Sequence, residues 1–417
     1  MKTRNNFLRG AALALAMFGV AGIALSPTVP PALAAEEADD AIDSSEFNRE
    51  FVEHYVEAVE AFQDNMDFPA AHSFLDEALA VENLTPEERY TAEILHFQLY
   101  LQEQNIEAAT PHINNAYDTG VMPQADKESY LRIAALVNQQ DYSRAILYGS
   151  EAQNYPGWDD SGDQVLANAY YFSGDLAGAE QFAESVVARK EAAGEPVPFA
   201  ILNVLFFSEQ EQGKEAEAAL TAGRIAVVDP SPENWARVID NAFTAPNLED
   251  RQFMNLYRLR RKTGTLDPTE YAGMTNLAVN LGLPSEAQSI LDEGISAGYV
   301  QAADVAQASQ DVAALTTETE AGLGDFATEA AASPTGNAHV QYGELLLGYE
   351  RYAEAETEIQ AGIQKGGLTR LADAQILLGI AQLEQGKKAE AEQTFMAAEQ
   401  DPLSGPVAYV WRLYASI

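Results

Sequence analysis

Cysteine is missing from all 417 residues. Its absence excludes disulfides, thiolate metal centres and a cysteine nucleophile, together with the lipid-bearing cysteine of a bacterial lipoprotein. Positive charge is scarce. The 24 Lys and Arg stand against 64 Asp and Glu, for a net charge of −40. Such a field repels nucleic acid and anionic lipid and favours cationic partners. Its plainest meaning is a solvated acidic surface. Only five histidines occur, His54, His72, His96, His112 and His339, with no H-E-x-x-H and no i, i+4 pair among them. Four of them lie in the first two repeats, where a shared metal site is the alternative; the expected reading is half-buried structural residues, with no metal or cofactor. Neither a P-loop nor G-x-G-x-x-G is present. Strand-like alternation is nearly absent, while the helix formers Ala, Glu, Gln and Leu dominate.

Long apolar runs are also lacking, with one exception. Ala11–Leu25 is about 15 residues long, short of the ~20 that a membrane span needs. Lys2, Arg4 and Arg9 precede it, and Pro27, Pro30, Pro31 and Ala32-Leu33-Ala34 follow. A basic start, a short apolar run and an A-x-A end read as a signal peptide over 1–34, cut after Ala34. The mature chain is therefore expected in the periplasm or secreted, with no stable membrane insertion after cleavage. Residues 35–46 are acidic and lack large apolar side chains, so a disordered tether is expected there.

What is present is repetition. Ala355 and Ala391 sit at matching places in two near-identical phrases, YERYAEAETEIQAG and QGKKAEAEQTFMAA. Ala71, Ala109, Ala145, Ala179, Ala218 and Ala287 occupy the same place in further phrases. Most steps are 34 to 39 residues; two are 69 and 68. Each long step is expected to hide a degenerate repeat. One is SPENWARVIDNAF with EDRQFMNLYRLRRK; the other is AADVAQASQDVAAL with TETEAGLGDFATEAA.

The last unit carries Leu378-Gly379, a turn at Gly386, then Ala391, Phe395, Ala398 and Pro402. This resembles the tetratricopeptide repeat, with L-G in a first helix and A-x-x-x-F in a second. Pro402 comes one place early, and Gln375 stands where the family has a Trp. The resemblance implies an all-α fold, an α-solenoid of about ten helix-turn-helix repeats. The expected division is 47–230 and 231–405, with a capping helix over 406–417. Small residues should sit where paired backbones come closest: Gly379 with Ala391, and Gly343 with Ala355. Gly174, Gly213, Gly282 and Gly386 should close hairpins in the left-handed conformation. Phe395, Ile359, Leu291 and Leu75 should fill the space toward the next unit. Ile201–Phe207 (ILNVLFF) reads as a buried first helix in this register.

The resemblance also implies a concave face, lined by first helices, that binds an extended peptide or a partner helix. Counting from the second-helix alanines places Tyr130, Asn168, Tyr171, Asn203, Phe207 and Asn276 there; inter-repeat packing is the other role open to them. The carboxylate clamp of one subclass is not carried over, because its lysines are missing. Arg251, Arg258, Arg261 and Lys262 form the one basic cluster. It suits an anionic partner or, alternatively, complements a helix dipole and pairs with nearby acids. Gly157–Gln164 (GWDDSGDQ) reads as a turn that caps the next helix. Together these features point to a non-enzymatic scaffold that binds an unidentified protein in the bacterial envelope. The alternative is a structural component of an envelope export or exopolysaccharide assembly complex. Oligomeric state is not legible.

Overall fold

The computed structural model describes residues 47–417; the expected signal peptide and tether lie outside the described residues. Every regular element among these residues is helical, and there are 21 helices. Two compact units divide the chain, one ending at Asp175 and the other covering Leu176–Ile417.

The first unit contains α1 (Arg49–Asn65), α2 (Phe68–Ala80), α3 (Pro86–Gln102), α4 (Ile106–Asp118), α5 (Gln124–Val137), α6 (Tyr142–Ala152) and α7 (Asp160–Ser173). Consecutive helices pack as hairpins, α1 on α2, α3 on α4 and α5 on α6. Each hairpin buries its apolar stripe against its partner and against the next hairpin. Phe51, Leu75, Leu95 and Leu99 form one core; Tyr90, Phe97, Ile113, Leu131 and Tyr148 form another. Asp159 caps α7 by accepting from the amides of Ser161 and Gly162. GWDDSGDQ is thus a helix start, as its pattern implies.

The second unit contains α8 (Leu176–Ala193), α9 (Phe199–Glu211), α10 (Glu215–Val228), α11 (Pro232–Phe243), α12 (Asp250–Thr263), α13 (Tyr271–Asn280) and α14 (Pro284–Ser296). It continues through α15 (Ala306–Ala321), α16 (Leu323–Ala332), α17 (Asn337–Gly348), α18 (Tyr352–Lys365), α19 (Leu371–Glu384), α20 (Lys388–Ala398) and α21 (Gly405–Ala415). The buried stretch Ile201–Phe207 lies in α9, a first helix and not a strand. The first hidden repeat is a true hairpin, α11 on α12, so the segment 228–233 lies inside this unit.

The second hidden repeat departs from expectation. α15 runs through TETEA to Gly322, past the expected break, and it packs on α14 while α16 packs on α17. The two touch each other only slightly. Val312 is the one buried residue of α15, and Leu323 and Ala330 are those of α16. With so few large apolar side chains, the pair has little to bury against itself. α14 instead meets α17 directly, where Ser285 donates to the Gly348 carbonyl at 2.8 Å.

The close approaches fall where the small residues predict them. A Cβ built on Gly379 would lie 2.5 Å from the Phe395 ring, and one on Gly343 would lie 2.4 Å from Ile359. Gly174, Gly213, Gly282 and Gly386 all have φ between 74° and 89°. Met66, Gln104 and Glu350 take the same left-handed place after α1, α3 and α17 without being glycine. The hairpin geometry therefore overrides a cost of about 1–2 kcal/mol per site.

α21 covers the last hairpin with Val407, Val410 and Trp411 buried. It also packs against α10, α11 and α12. The Trp411 indole donates to the Asn255 carbonyl at 3.0 Å. The C-terminal helix is thus both a cap and a tie to the middle of its unit.

Candidate functional site

The basic helix α12 is fixed at both ends. Gln252 accepts from the Glu249 amide at 3.1 Å in a capping box, and Gly264 closes the C-terminus at φ 69°. Arg251, Arg258 and Lys262 therefore share one face, as their 7 and 4 spacing requires. Each cation of that face already meets an acid of this chain. Arg258 is buried and grips Glu286 of α14 with two bonds of 2.8 and 2.6 Å. Its remaining nitrogen donates to Asn255 at 2.7 Å and lies 3.5 Å from Glu344 of α17. Arg251 lies 3.1 Å from the other Glu344 oxygen. Arg261 pairs with Glu293 at 2.5 Å and with Ser289 at 2.8 Å. Lys262 pairs with Glu384 of α19 at 2.6 Å.

Burial alone would discharge Arg258, but the Glu286 and Glu344 carboxylates outweigh it and raise its pKa. The cluster is an internal clamp, the alternative role left open by the sequence. The partners come from helices far along the chain, so the spacing within α12 could not reveal them.

The expected groove residues occupy first helices. Asn168, Tyr171, Asn203 and Phe207 are half-buried, and Asn276 is exposed. Tyr130 is drawn into packing: its hydroxyl accepts from Gln98 at 2.6 Å, and its ring meets Phe97 edge-on at 5.9 Å. Gln98 and Tyr130 lie on successive first helices, so these register positions do face one another. In the second unit Asn276 lies one turn before Asn280, which lines an open cleft of about 730 Å³. Arg251, Gln341, Thr369, Arg370 and Asp373 also line it. Arg370 forms an ion pair with Glu249 at its edge. Beneath it Gln252 donates to Asp373 at 2.6 Å, and Ser404 donates to the same oxygen at 2.5 Å.

Three of the five histidines come together in the first unit. The Thr85–Glu88 capping box sets the start of α3 with bonds of 3.2 and 2.7 Å. Glu93 and His96, one turn apart, then face α4. Nδ1 of His96 lies 3.2 Å from Nδ1 of His112, and that same His112 nitrogen lies 2.6 Å from Glu93. Asn115 donates to the second Glu93 oxygen at 3.0 Å. His96 Nε2 faces the His72 carbonyl at 3.3 Å. The His72 ring stacks on Tyr100 with centroids 3.8 Å apart and bonds Glu103 at 2.8 Å. Burial, and then the neighbouring His112, push the His96 pKa down to about 3, so the ring is neutral near pH 7. A search for i, i+4 histidines misses this cluster. The signal present was Glu93-x-x-His96 in a first helix, with His112 on the helix paired with it. His54 and His339 pair separately with Glu77 and Glu358.

Gly294–Gly298 (GISAG) matches the letters of the serine-nucleophile pattern G-x-S-x-G. It ends helix α14 instead of turning from a strand into a helix, and Ser296 is exposed.

No family model matches the chain, and no curated protein does. Solved structures that align with it include a tetratricopeptide repeat protein from Parabacteroides merdae, at 12% identity and TM-score 0.28. That alignment covers 79% of this chain and 100% of that one. A Naa15/Naa10 structure bound to HypK-THB aligns at 14% identity and TM-score 0.28, over 83% of this chain and 58% of that one. The P58(IPK) TPR domain aligns at 11% identity and TM-score 0.21, over 88% and 98%. At these values the alignments carry no weight; the paired-helix architecture rests on the chain's own helices.

Proposed function

We propose that this protein is an exported, non-enzymatic scaffold of the bacterial cell envelope, binding a peptide or helix of a protein partner along its first helices. The observation that carries the reading is the open cleft of the second unit, lined by polar and apolar side chains alike, with Asn280 on its wall and Asn276 one turn away. Side-chain amides can both donate to and accept from a peptide backbone, so they grip a chain without fixing its sequence. In the first unit the half-buried Asn168 and Tyr171 offer an amide and an aromatic face in the same way. The net charge of −40 favours a cationic segment over an acidic one.

The test is affinity capture from envelope extract with the mature protein. Two multiple variants are compared with it: Tyr171→Ala with Phe207→Ala, and Asn276→Ala with Asn280→Ala. All these side chains are half-buried or exposed, so the fold should survive, which circular dichroism checks. The reading expects captured proteins to be lost from at least one variant. Full retention by both would move the contact to the outer faces, as in an assembly component, and contradict groove binding.

A further inference from the structure

We infer that Glu93, His96 and His112 form a binding site for a borderline divalent cation, Zn²⁺ or Cu²⁺, held between α3 and α4. One ligand atom from each residue can be chosen so that all three lie within 4.8 Å of one another. The two ring nitrogens are 3.2 Å apart. Tetrahedral coordination at Zn–N distances of about 2.0–2.1 Å places ligand atoms about 3.3 Å from each other. The rings are therefore already spaced for a shared ion. The 2.6 Å contact between His112 and Glu93 is a hydrogen bond in the metal-free state. Binding would shift the His112 proton from Nδ1 to Nε2, leaving the His112 Nδ1 lone pair, the His96 Nδ1 lone pair and the carboxylate facing one cation.

The surroundings supply what such ligands need. The Nε2–H of a ligating histidine commonly donates to a backbone carbonyl, which fixes the tautomer. His96 Nε2 has the His72 carbonyl at 3.3 Å, so Nδ1 is the nitrogen left to bind. Asn115 holds the outer oxygen of Glu93 at 3.0 Å, which orients the inner one. Glu93 is almost fully buried, whereas the His112 side chain is 19% exposed, so an ion enters past His112. Two imidazoles and one carboxylate suit zinc and copper, not calcium or magnesium. The remaining coordination position is left to water or to a donor from outside the chain.

The inference does not depend on the scaffold reading, and its test does not involve the partner. Untagged mature protein is titrated with Zn²⁺ by calorimetry in excess Mg²⁺, which occupies weak surface carboxylates. One tight equivalent per chain is expected. His112→Ala should weaken that equivalent at least tenfold, while His339→Ala, at a separate half-buried pair, should leave it unchanged. His112 is the most accessible of the three, so this variant should fold. Independently, Cu²⁺ electron paramagnetic resonance should show coupling to two nitrogens in the wild type and to one in His112→Ala. Absence of a tight equivalent, or one that persists unchanged in His112→Ala, would overturn the site. So would a copper spectrum with oxygen ligands alone.

Discussion

Residues 47–175 and 176–417 are built from the same helical hairpins but hold themselves together differently. In the first unit, side-chain bridges join positions about one repeat apart: Tyr90 to Asp126, Gln98 to Tyr130, Asn114 to Tyr148 and Tyr117 to Glu151. In the second, bonds cross long stretches of chain. Arg258 reaches Glu344 over 86 residues, Gln252 reaches Asp373 over 121, and Trp411 reaches Asn255 over 156. A nearest-neighbour array is free to open one module at a time. A unit tied across its middle must break those ties before any part leaves. One repeat grammar thus yields two kinds of cooperativity, and the difference lies in a few buried polar residues of α12.

The comparison breaks most sharply at Arg258. Arg258→Met leaves Glu286 buried without its counter-charge and Glu344 with Arg251 alone, and removing one partner of a buried pair costs about 3–5 kcal/mol. Urea unfolding should show that loss in the transition of 176–417 and none in that of 47–175. A shift shared by both, or absent from both, would refute the division. The next largest effect is at Gly379. Alanine gains about 1 kcal/mol of helix propensity, but its Cβ would sit 2.5 Å from the buried Phe395 ring. Overpacking costs about 1–3 kcal/mol, so Gly379→Ala should lower the midpoint of the second unit; a raised midpoint would show that the ring can move aside.

Acid should act on the first unit. The folded pKa of His96 is about 3 against an ordinary 6.5, so the unfolded chain takes the proton first. The stability this group contributes is complete above pH 6.5 and drains away as pH falls toward 3. Asp126, whose pKa burial raises, works in the opposite sense. In chelator, urea midpoints of 47–175 at pH 7.5 and 5 should differ, and His96→Asn should reduce the difference; an unchanged slope would assign it elsewhere. The smallest effect belongs to the exposed Arg49–Glu53 pair. Arg49→Ala should change stability by less than about 0.5 kcal/mol, and a larger change in the thermal midpoint would mean that this end of α1 is tied down by more than the pair.

The sequence showed what is local. The Ala-and-Gly register located the hairpins, and Gly379 and Gly343 lie at close approaches because contact between paired helices repeats with the chain. The α11–α12 hairpin was readable despite its poor match, since Trp235, Val238 and Ile239 keep the helical period and are buried. The α15–α16 segment was misjudged because its alanines favour helix without giving the pair a core. Pairing with acids was one of the roles open to Arg258, but which acids was out of reach, because one lies 28 residues away and the other 86. The histidines were legible as a group in the first two repeats, but which of them meet was not, for a related reason. His96 and His112 are neighbours only after α3 folds back on α4.

Native-state hydrogen exchange under rising denaturant tests the account most directly. If α12 and α21 are tied as described, their slowest amides will merge into one opening, although about 150 residues separate them. Should α21 exchange early with α20 alone while α12 stays protected, the tie is not a structural one and the contrast between the two units falls.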